Sequence, residues 1–408
     1  MTRAFSSLAI PQYRWFMLST VAGSMAYQSQ QIAMGWLAYY LTKSPFALGL
    51  VMISWGIPEV AFSLVGGVIA DTRNRRHIMA LMMALSLAAV LVVAILVTTN
   101  QVALWHLLAI GAVSATASTL NMPSRQAFVY DLVGAEHLRD AIAINSSGFN
   151  TMRLLSPAVS GFLIGAVGVD AVYYLVAICY LISALTLLLP LRSVPAVVRK
   201  SAYPARDLVD GFRYVWQKKA ILWLLVVALT TMFVGLPFRN LMPAFAVESL
   251  GQGPEGYGLL MSTVGLGALV GSLGAIFLGK VRRPRLLLMA AALVWGISLT
   301  AFGLSGNLAS AVALAMILGL VSTGSSIINN ILIQTDVDPG LRGRVMSFYM
   351  LTFGMSSLGT LPFGGLAELV GTATALCWSG LTLVIIAIPL ALWGRTMLTE
   401  GVRGLPKV

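Results

Sequence analysis

The sequence predicts an all-α membrane protein with twelve transmembrane helices in two pseudo-symmetric halves of six. Three observations support this fold class. Of the 408 residues, 58% are hydrophobic and only 10% are charged, and the mean hydropathy of +0.87 is far above that of a soluble domain. Apolar runs close to the roughly 20 residues that cross a bilayer as helix recur along the whole chain. One long polar stretch divides these runs six and six.

The apolar runs set the predicted spans. The first run begins near Trp15 and is too long for the apolar region of a signal peptide, so we expect the N-terminus to be retained. The predicted spans are residues 15–40, 46–70, 78–98, 102–127, 141–168, 171–191, 220–246, 256–279, 286–304, 308–334, 345–370 and 372–394.

The basic residues set the predicted orientation. Of 26 lysines and arginines, all but Lys43, Arg153 and Arg239 lie in segments on one side of the predicted membrane. Because cytoplasmic loops are enriched in these residues, the asymmetry predicts a multi-pass protein of the bacterial inner membrane with both termini in the cytoplasm. The net charge of +12 is then a topology signal with anionic lipid headgroups as its partner, and not a nucleic-acid-binding surface.

The sequence carries no pattern typical of an enzyme, a metal site or a cofactor site. His77, His106 and His137 are dispersed, and none stands with acidic residues at metal-ligand spacing. The phosphate-binding pattern G-x-x-x-x-G-K-[ST] does not occur. Cys179 and Cys377 fall in apolar runs and are interpreted as packing residues. We therefore expect neither catalysis nor ATP-driven pumping, and no cofactor.

The chain is predicted to consist of an N-terminal six-helix bundle, a cytoplasmic linker and a C-terminal six-helix bundle, at residues 1–191, 192–219 and 220–408. In the linker, residues 204–217 space their apolar side chains at helical intervals, which predicts an amphipathic helix on the inner membrane surface. The halves also resemble each other, since GLVMISWG at 49–56 is similar to GLLMSTVG at 258–265. Repeated halves with a substrate site between them are typical of transporters.

The loop after the second span carries a pattern that resembles a known family. It reads GVIADTRNRR, residues 67–76, and is similar to the G-x-x-x-D-R-x-G-R-R signature of the major facilitator superfamily. The segments at 30–51, 122–133 and 237–251 resemble the branch of macrolide efflux pumps and the enterobactin exporter. The resemblance spans nearly the whole chain. It implies the major facilitator fold and secondary transport by alternating access.

Within this signature, the resemblance implies a conformational latch formed by Gly67, Asp71, Arg75 and Arg76. An aspartate at a helix end can pair with arginines or meet the positive end of another helix, and such a contact breaks when the halves move. The alternative is a solvated loop acid among arginines that only set the topology.

The chain also departs from the superfamily pattern. Thr72 and Asn74 replace the usual basic residue and glycine, and Lys280 replaces the acid in the second copy. The arginine-centred signature that many drug/proton antiporters carry in span 4 does not occur. These departures leave the ion-coupling residues open.

Two charged residues fall deep inside predicted spans. Glu59 precedes Asp71 by twelve residues, roughly 18 Å of helix, which places it near the midplane. A bare carboxylate is costly there, so we interpret Glu59 as the candidate for proton coupling. Arg153 reaches a similar depth in span 5 and is the second candidate, either as the partner of Glu59 or as a contact for an anionic substrate. A structural role is the alternative for both.

The resemblance implies that spans 1, 4, 7 and 10 line a central cavity. Polar side chains in these spans usually face protein or a cavity, and aromatic residues would add apolar wall. Hydrogen bonding between helices or core packing is the alternative for each of them. The candidate cavity residues are Gln28, Gln31, Asn121, Phe233, Asn329, Asn330 and Phe353.

Prolines and small residues mark predicted hinges between the halves. Pro157 and Pro362 fall in the corresponding spans 5 and 11, where a missing amide hydrogen can kink a helix. Gly161 follows Pro157 by one turn and forms a small-xxx-small face with Gly165, which lets helices approach closely.

These features predict a secondary active transporter that exports amphipathic small molecules of drug or siderophore type, coupled to protons. The expected partners are a small-molecule substrate, protons and membrane lipids, and we expect a monomer. An importer or a lipid flippase on the same fold is the alternative, because a fold does not set direction or substrate. A non-transporting membrane sensor is the alternative from another class.

Overall fold

The computed structural model describes residues 6–72, 74–188, 212–274, 283–338 and 341–401. Within these ranges, side chains are described except at residues 6, 63–72, 139 and 395–401. All regular elements in these ranges are helical, as the fold class predicts. The α-helices are α1 Pro11–Thr42, α2 Pro45–Thr72, α3 Arg75–Thr98, α4 Leu104–Ala166, α5 Val169–Leu188, α6 Lys219–Thr230, α7 Phe238–Glu248, α8 Pro254–Gly274, α9 Pro284–Gly303, α10 Leu308–Asp336, α11 Arg342–Val370 and α12 Thr372–Gly401.

Eight helical segments of the described ranges are long and apolar enough to cross a membrane. They are found in α2, α3, α5, the run from α6 to α7, α8, α9, α10 and α12. The chain is therefore a multi-pass membrane protein. The count of twelve spans remains a prediction.

Helix α4 carries two of the predicted spans, 102–127 and 141–168, in a single run of 63 residues. The run bends at Gly134, whose φ of 67° and ψ of −178° are far from helical values. A residue with a side chain rarely adopts this conformation, so the glycine permits the bend. The connection expected between the two spans is thus helical apart from one kink.

The predicted span 220–246 is built from three pieces. Helix α6 passes into a π-helical turn at Thr231–Gly235, and α7 follows. The Ser379 hydroxyl donates to the Val234 carbonyl at 2.6 Å, which supplies a partner inside the irregular turn. Gly359 of α11 lies against the Phe233 carbonyl, where any side chain would collide. Such π turns interrupt helices most often at functional sites.

By their internal contacts the residues divide into two compact units. The first contains Met1–Ser201 together with Gln252–Ser262, and the second contains Ala202–Gly251 together with Thr263–Val408. The first turns of α8 therefore pack with α1 to α5. The predicted division at 191 and 219 remains a prediction, and most of the predicted amphipathic helix, residues 204–211, lies outside the described residues.

The second unit has a core of large aromatic side chains. Trp223 of α6 is buried and donates its indole hydrogen to the Leu390 carbonyl of α12 at 2.8 Å. Phe245 and Phe302 place their ring centroids 4.6 Å apart, and Trp295 packs beside Gly235 of the π turn. These contacts join α6, α7, α9 and α12 into one packed body.

Candidate functional site

Glu59 lies in the middle of α2, fourteen residues after Pro45 and thirteen before Thr72. The Glu59 side chain is exposed. The preceding Pro58 has no amide hydrogen, so the Ser54 carbonyl loses its helical donor at this level of the helix. The acid that the sequence places at mid-span therefore lies at mid-helix on an accessible surface.

Glu59 of α2 lies near the Tyr27 side chain of α1. The Tyr27 side chain interacts with Gln31 and is close enough to Glu59 for a direct electrostatic interaction. The Tyr27 ring meets the Trp55 ring edge to face, with centroids 5.6 Å apart, and the Trp55 indole donates to Met34 Sδ at 3.4 Å. An acid, a phenol and an amide thus meet at one level between two helices.

Pairing with Glu59 was one of the two alternatives for Arg153, and the described residues show no ion pair between them. Arg153 is half-buried on the second part of α4, and neither residue forms an ion pair within the part of the chain that the structure describes. Spacing along the chain gives the position of a residue on its helix, but it does not give the direction in which each helix turns its side chains. Arg153 therefore stays a candidate for contact with an anionic substrate.

Gln30, which stands between the candidate cavity residues of α1, has a structural role. It is fully buried, its amide nitrogen donates to Ser114 Oγ at 2.8 Å, and its amide oxygen accepts from the Tyr180 hydroxyl at 2.9 Å. The side chain joins α1 to α4 and α5. The neighbouring Gln28 and Gln31 are only half-buried.

Two candidate cavity amides are deeply buried. Asn121 is 9% exposed and Asn329 is 2% exposed. The Asn329 amide nitrogen donates to the Leu224 carbonyl at 3.0 Å, which links α10 to α6. For Asn329, this hydrogen bond between helices corresponds to the structural alternative to a role in lining the cavity.

A second polar and aromatic group lies in the other unit. Asn330 accepts from Gln334 at 2.6 Å and interacts with the Tyr349 hydroxyl. The rings of Tyr349 and Phe353 meet edge to face at 5.4 Å. Phe233 is half-buried in the π turn. The cavity candidates of the second unit are therefore distributed over α10, α11 and the π turn.

The two arginines of the signature both bind other helices of the first unit. Arg75 Nη1 lies 2.7 Å from Asp131 Oδ2 of α4. Arg76 donates from Nε to the Leu187 carbonyl at 2.7 Å, and from Nη2 to the Leu188 carbonyl. The side-chain surroundings of residues 63–72, which include Gly67 and Asp71, lie outside the described part of the structure, so the aspartate latch stays a prediction.

Two features of this end were not singled out from the sequence. Asn74, which departs from the superfamily signature, caps α3 by accepting from the Arg76 and His77 amides. Asp131 is the ion-pair partner of Arg75, although 56 residues separate them. In the sequence, Asp131 could have been noticed as an acid in a predicted cytoplasmic segment that also carries arginines.

The predicted hinge at Pro157 and Gly161 lies where α4 and the start of α8 approach closely. A Cβ on Gly161 would lie 2.7 Å from the Gly258 Cα and from the Pro254 carbonyl, and a Cβ on Gly258 would lie 2.6 Å from the Pro157 carbonyl. Backbone therefore touches backbone here, which only glycine allows. Pro362 is exposed on α11.

The described part of the chain contains no group of three or more His, Cys, Asp or Glu side chains arranged as metal ligands. The chemistry that the described residues offer around Glu59 is that of one carboxyl, one phenol and one amide. These groups can exchange protons and donate or accept hydrogen bonds.

Comparison with known proteins gives the family. The model of the transmembrane secretion effector family, a branch of the major facilitator superfamily, matches residues 2–398. The chain is similar to the multidrug efflux pump Tap of Mycolicibacterium fortuitum, at 25% identity over 88% of this chain and 90% of the relative. It is also similar to the enterobactin exporter EntS of Escherichia coli O1:K1 / APEC, at 27% identity over 86% of this chain and 84% of the relative.

The fold is also found in solved transporter structures. A bacterial homologue of the human lysosomal transporter Spinster aligns with a TM-score of 0.75 at 16% sequence identity, over 96% of this chain and 98% of that one. The family and these relatives are transporters and not enzymes, as the sequence predicts. The chain therefore belongs to the transmembrane secretion effector family of the major facilitator superfamily.

Proposed function

We propose that the protein is a secondary active exporter of amphipathic organic small molecules. The proposal is supported by the family, and by relatives named as a multidrug efflux pump and an enterobactin exporter that align along nearly their whole length. Because one half of a transporter cannot release substrate alone, export proceeds by alternating access of the two predicted six-helix halves. The described residues offer no nucleotide-binding loop, so an ion gradient drives the cycle.

The observation that carries the coupling proposal is the position of Glu59. It is an acid at the centre of a membrane-spanning helix, beside Tyr27 and Gln31, with an accessible side chain. An ionisable group at this depth is costly, and it is retained where it moves ions or binds substrate. Glu59 takes up a proton from one side and releases it to the other as access alternates. The Tyr27 phenol and the Gln31 amide stabilise the two protonation states by exchanging hydrogen bonds.

Transport in proteoliposomes tests the coupling. The purified protein is reconstituted, a pH gradient is imposed, and the movement of a cationic fluorescent dye is followed with wild type and Glu59→Gln. We expect the variant to lose gradient-driven accumulation while it keeps exchange without a gradient, because the amide resembles the protonated acid in shape. Glu136→Gln is the matched control, since Glu136 is exposed near the Gly134 bend of α4. Undiminished accumulation by Glu59→Gln would assign coupling to another residue.

The same assay separates export from the alternatives. Everted vesicles that accumulate the dye when the gradient is imposed show export, and right-side-out vesicles that accumulate it show import. A labelled phospholipid that changes leaflet only in the presence of the protein would show flippase activity. A protein that moves neither class of probe would fit the sensor.

Orientation is part of the proposal. The arginine and lysine asymmetry predicts both termini and residues 192–219 on the cytoplasmic side. A cysteine introduced at Arg199, in a chain whose Cys179 and Cys377 are replaced by serine, should react with an impermeant maleimide only after the membrane is opened. Reaction in intact cells would reverse the topology.

The latch residues are tested by Asp71→Asn. The change removes one negative charge without removing volume, so the folded protein should persist while turnover falls about tenfold or more. Size-exclusion chromatography checks the fold, and the vesicle assay measures turnover. Wild-type turnover in well-folded Asp71→Asn would show that Asp71 is only a solvated acid.

A further inference from the structure

The first unit contains a cavity of about 690 Å³. It lies between the last turns of α1 and α3, the end of α4, and the first turns of α5 and α8. Because α3 begins at Arg75 and its last turns line the cavity, the cavity is at the opposite end of α3 from the Arg75–Asp131 pair. Its volume is in the range of sites for drug-sized ligands. Its lining includes Trp36, Tyr40, Asp170 and Glu255, which all belong to the first unit.

Asp170 and Glu255 make the cavity acidic. Neither forms an ion pair among the described residues, and the lining contains no lysine or arginine. The Glu255 carboxylate fills the space that a side chain at Gly165 would take, and Asp170 lies against Gly168, whose φ is 132°. Because these glycines are three positions apart, both negative charges lie at the same corner of the cavity. Two like charges in a partly enclosed site favour a bound cation.

Another part of the cavity lining is aromatic. The Trp36 indole stacks on the buried Tyr257 ring, with centroids 6.2 Å apart and planes inclined by 18°, which fixes its orientation. Tyr40 follows Trp36 by one turn and is 60% exposed. Lys43 Nζ lies 4.7 Å from the Tyr40 ring centroid, so this ring already faces a cation. Indole and phenol faces attract cations most strongly where water is partly excluded.

We propose that this cavity binds a hydrophobic organic cation. The positive centre lies near Asp170 and Glu255, and the apolar groups lie against Trp36 and Tyr40. A calcium ion is a poor fit, because two carboxylates supply too few of the six to eight oxygen ligands that it takes. Binding at this site does not depend on the proposed function. The further proposal that an exported cation is released from this site rests on the proposed function and on the predicted topology.

The acids could also act only on their helices, since a carboxylate in a first turn is stabilised by the helix dipole. If the acids only stabilise their helices, their removal would lower thermal stability and leave ligand affinity unchanged. Loss of a ligand contact lowers affinity. The test therefore measures both quantities on each variant.

Two probes of the same shape and opposite charge allow the test. Equilibrium binding of tetraphenylphosphonium and tetraphenylborate is measured with the purified full chain in nanodiscs, and empty nanodiscs correct for partition into lipid. All variants carry Glu59→Gln, which removes the mid-span acid as an alternative cation site. The variants are Asp170→Asn with Glu255→Gln, Lys43→Gln, and Glu136→Gln as the matched control.

We expect saturable binding of the phosphonium in preference to the borate. The double acid variant should bind the phosphonium at least about tenfold more weakly, because two negative charges are removed. Lys43→Gln should bind it about twofold more tightly, because a competing positive charge is removed. Glu136→Gln should not change affinity. Equal binding of the two ions, no saturable binding by the Glu59→Gln protein, or a double acid variant that loses thermal stability but keeps its affinity would each overturn the proposal. Failure of proton-driven export by wild type would leave these results intact.

Discussion

Arg75 of α3 and Asp131 of α4 form an ion pair of 2.7 Å with side chains that are 18% and 19% exposed. The second unit contains an equivalent pair, since Arg285 at the start of α9 lies 2.7 Å from Asp336 at the end of α10. In both units a basic residue at the start of one long helix forms an ion pair with an acid in the helix that follows it. The internal repeat that the sequence indicates thus extends to a specific contact.

The ion pair of Arg75 and Asp131 should contribute measurably to stability. We expect a coupling free energy of about 1 kcal/mol, at the upper end for surface pairs, because both side chains are mostly buried. Arg75→Gln, Asp131→Asn and the double variant form a double-mutant cycle, measured by equilibrium unfolding in mixed micelles. Additive losses would show that the two charges do not interact in solution.

Removal of the Gln30 side chain should destabilise the first unit. Gln30→Leu removes the hydrogen bonds from Gln30 to the buried Ser114 and Tyr180 hydroxyls, at a cost of about 1–3 kcal/mol in the free energy of unfolding. Gln28→Leu is the matched control, because Gln28 is half-buried. Mixed-micelle unfolding measures both variants. Equal stabilities would refute the role of Gln30 as a link between three helices.

A methyl group at Gly161 should separate α4 from the start of α8. In Gly161→Ala the new Cβ would lie 2.7 Å from the Gly258 Cα, so the backbones must move apart. Thermal unfolding should show a lower midpoint and the vesicle assay a slower turnover. Gly324→Ala is the control, since nothing lies within 4 Å of its Cβ position in α10; it should be neutral or stabilise the helix by up to about 1 kcal/mol. A stabilising effect of Gly161→Ala would contradict the close approach.

The exposed pair of Lys218 and Asp338 predicts a pH dependence outside the membrane. The Lys218 ammonium, with help from Tyr214, lowers the pKa of Asp338, and hydrogen bonding to Tyr214 and then Asp338 raises the pKa of Lys218. The contribution of Asp338 is present above the unfolded pKa of about 3.9 and is lost as pH falls through the lower folded value. That of Lys218 is present below about 10.4 and is lost as pH rises through the higher folded value.

The stability difference between wild type and Asp338→Asn should therefore stay constant from about pH 5 to 9 and shrink under acid conditions. Thermal unfolding at a series of pH values measures it. The difference should also decrease with added salt, because both side chains are largely exposed. A difference that grows as pH falls below about 4 would contradict the assigned pair.

Counting along the chain was enough to place some residues. The depth of Glu59 follows from its distance to the helix ends, because an α-helix rises by a constant 1.5 Å per residue. The sequence pattern at residues 67–76 was enough to predict the superfamily, and the family model confirms this prediction. Composition alone was enough for an all-helical membrane protein, because only helices or closed barrels satisfy their backbone hydrogen bonds in lipid.

Counting residues along the chain could not predict which side chains contact each other. Gln30 and Gln31 are adjacent in the sequence, yet one is a buried link between helices and the other lies beside Tyr27 and Glu59. From the sequence, Arg153 is predicted to reach a depth similar to that of Glu59, yet the described residues show no ion pair between them. In each case the outcome depends on the rotation of a helix about its own axis, and a change of one residue turns a side chain by about 100°.

The sequence by itself determined the class, the family, and the position of Glu59 near the middle of its helix, because these depend on composition, motif and helix length. Only the tertiary structure decided that Asp131 pairs with Arg75, that Ser379 satisfies the π turn, and that Glu255 lies against Gly165 of α4. These contacts join positions far apart in the chain. They arise from how helices pack and rotate against each other, which is set by the sum of many weak side-chain contacts and not by any local pattern.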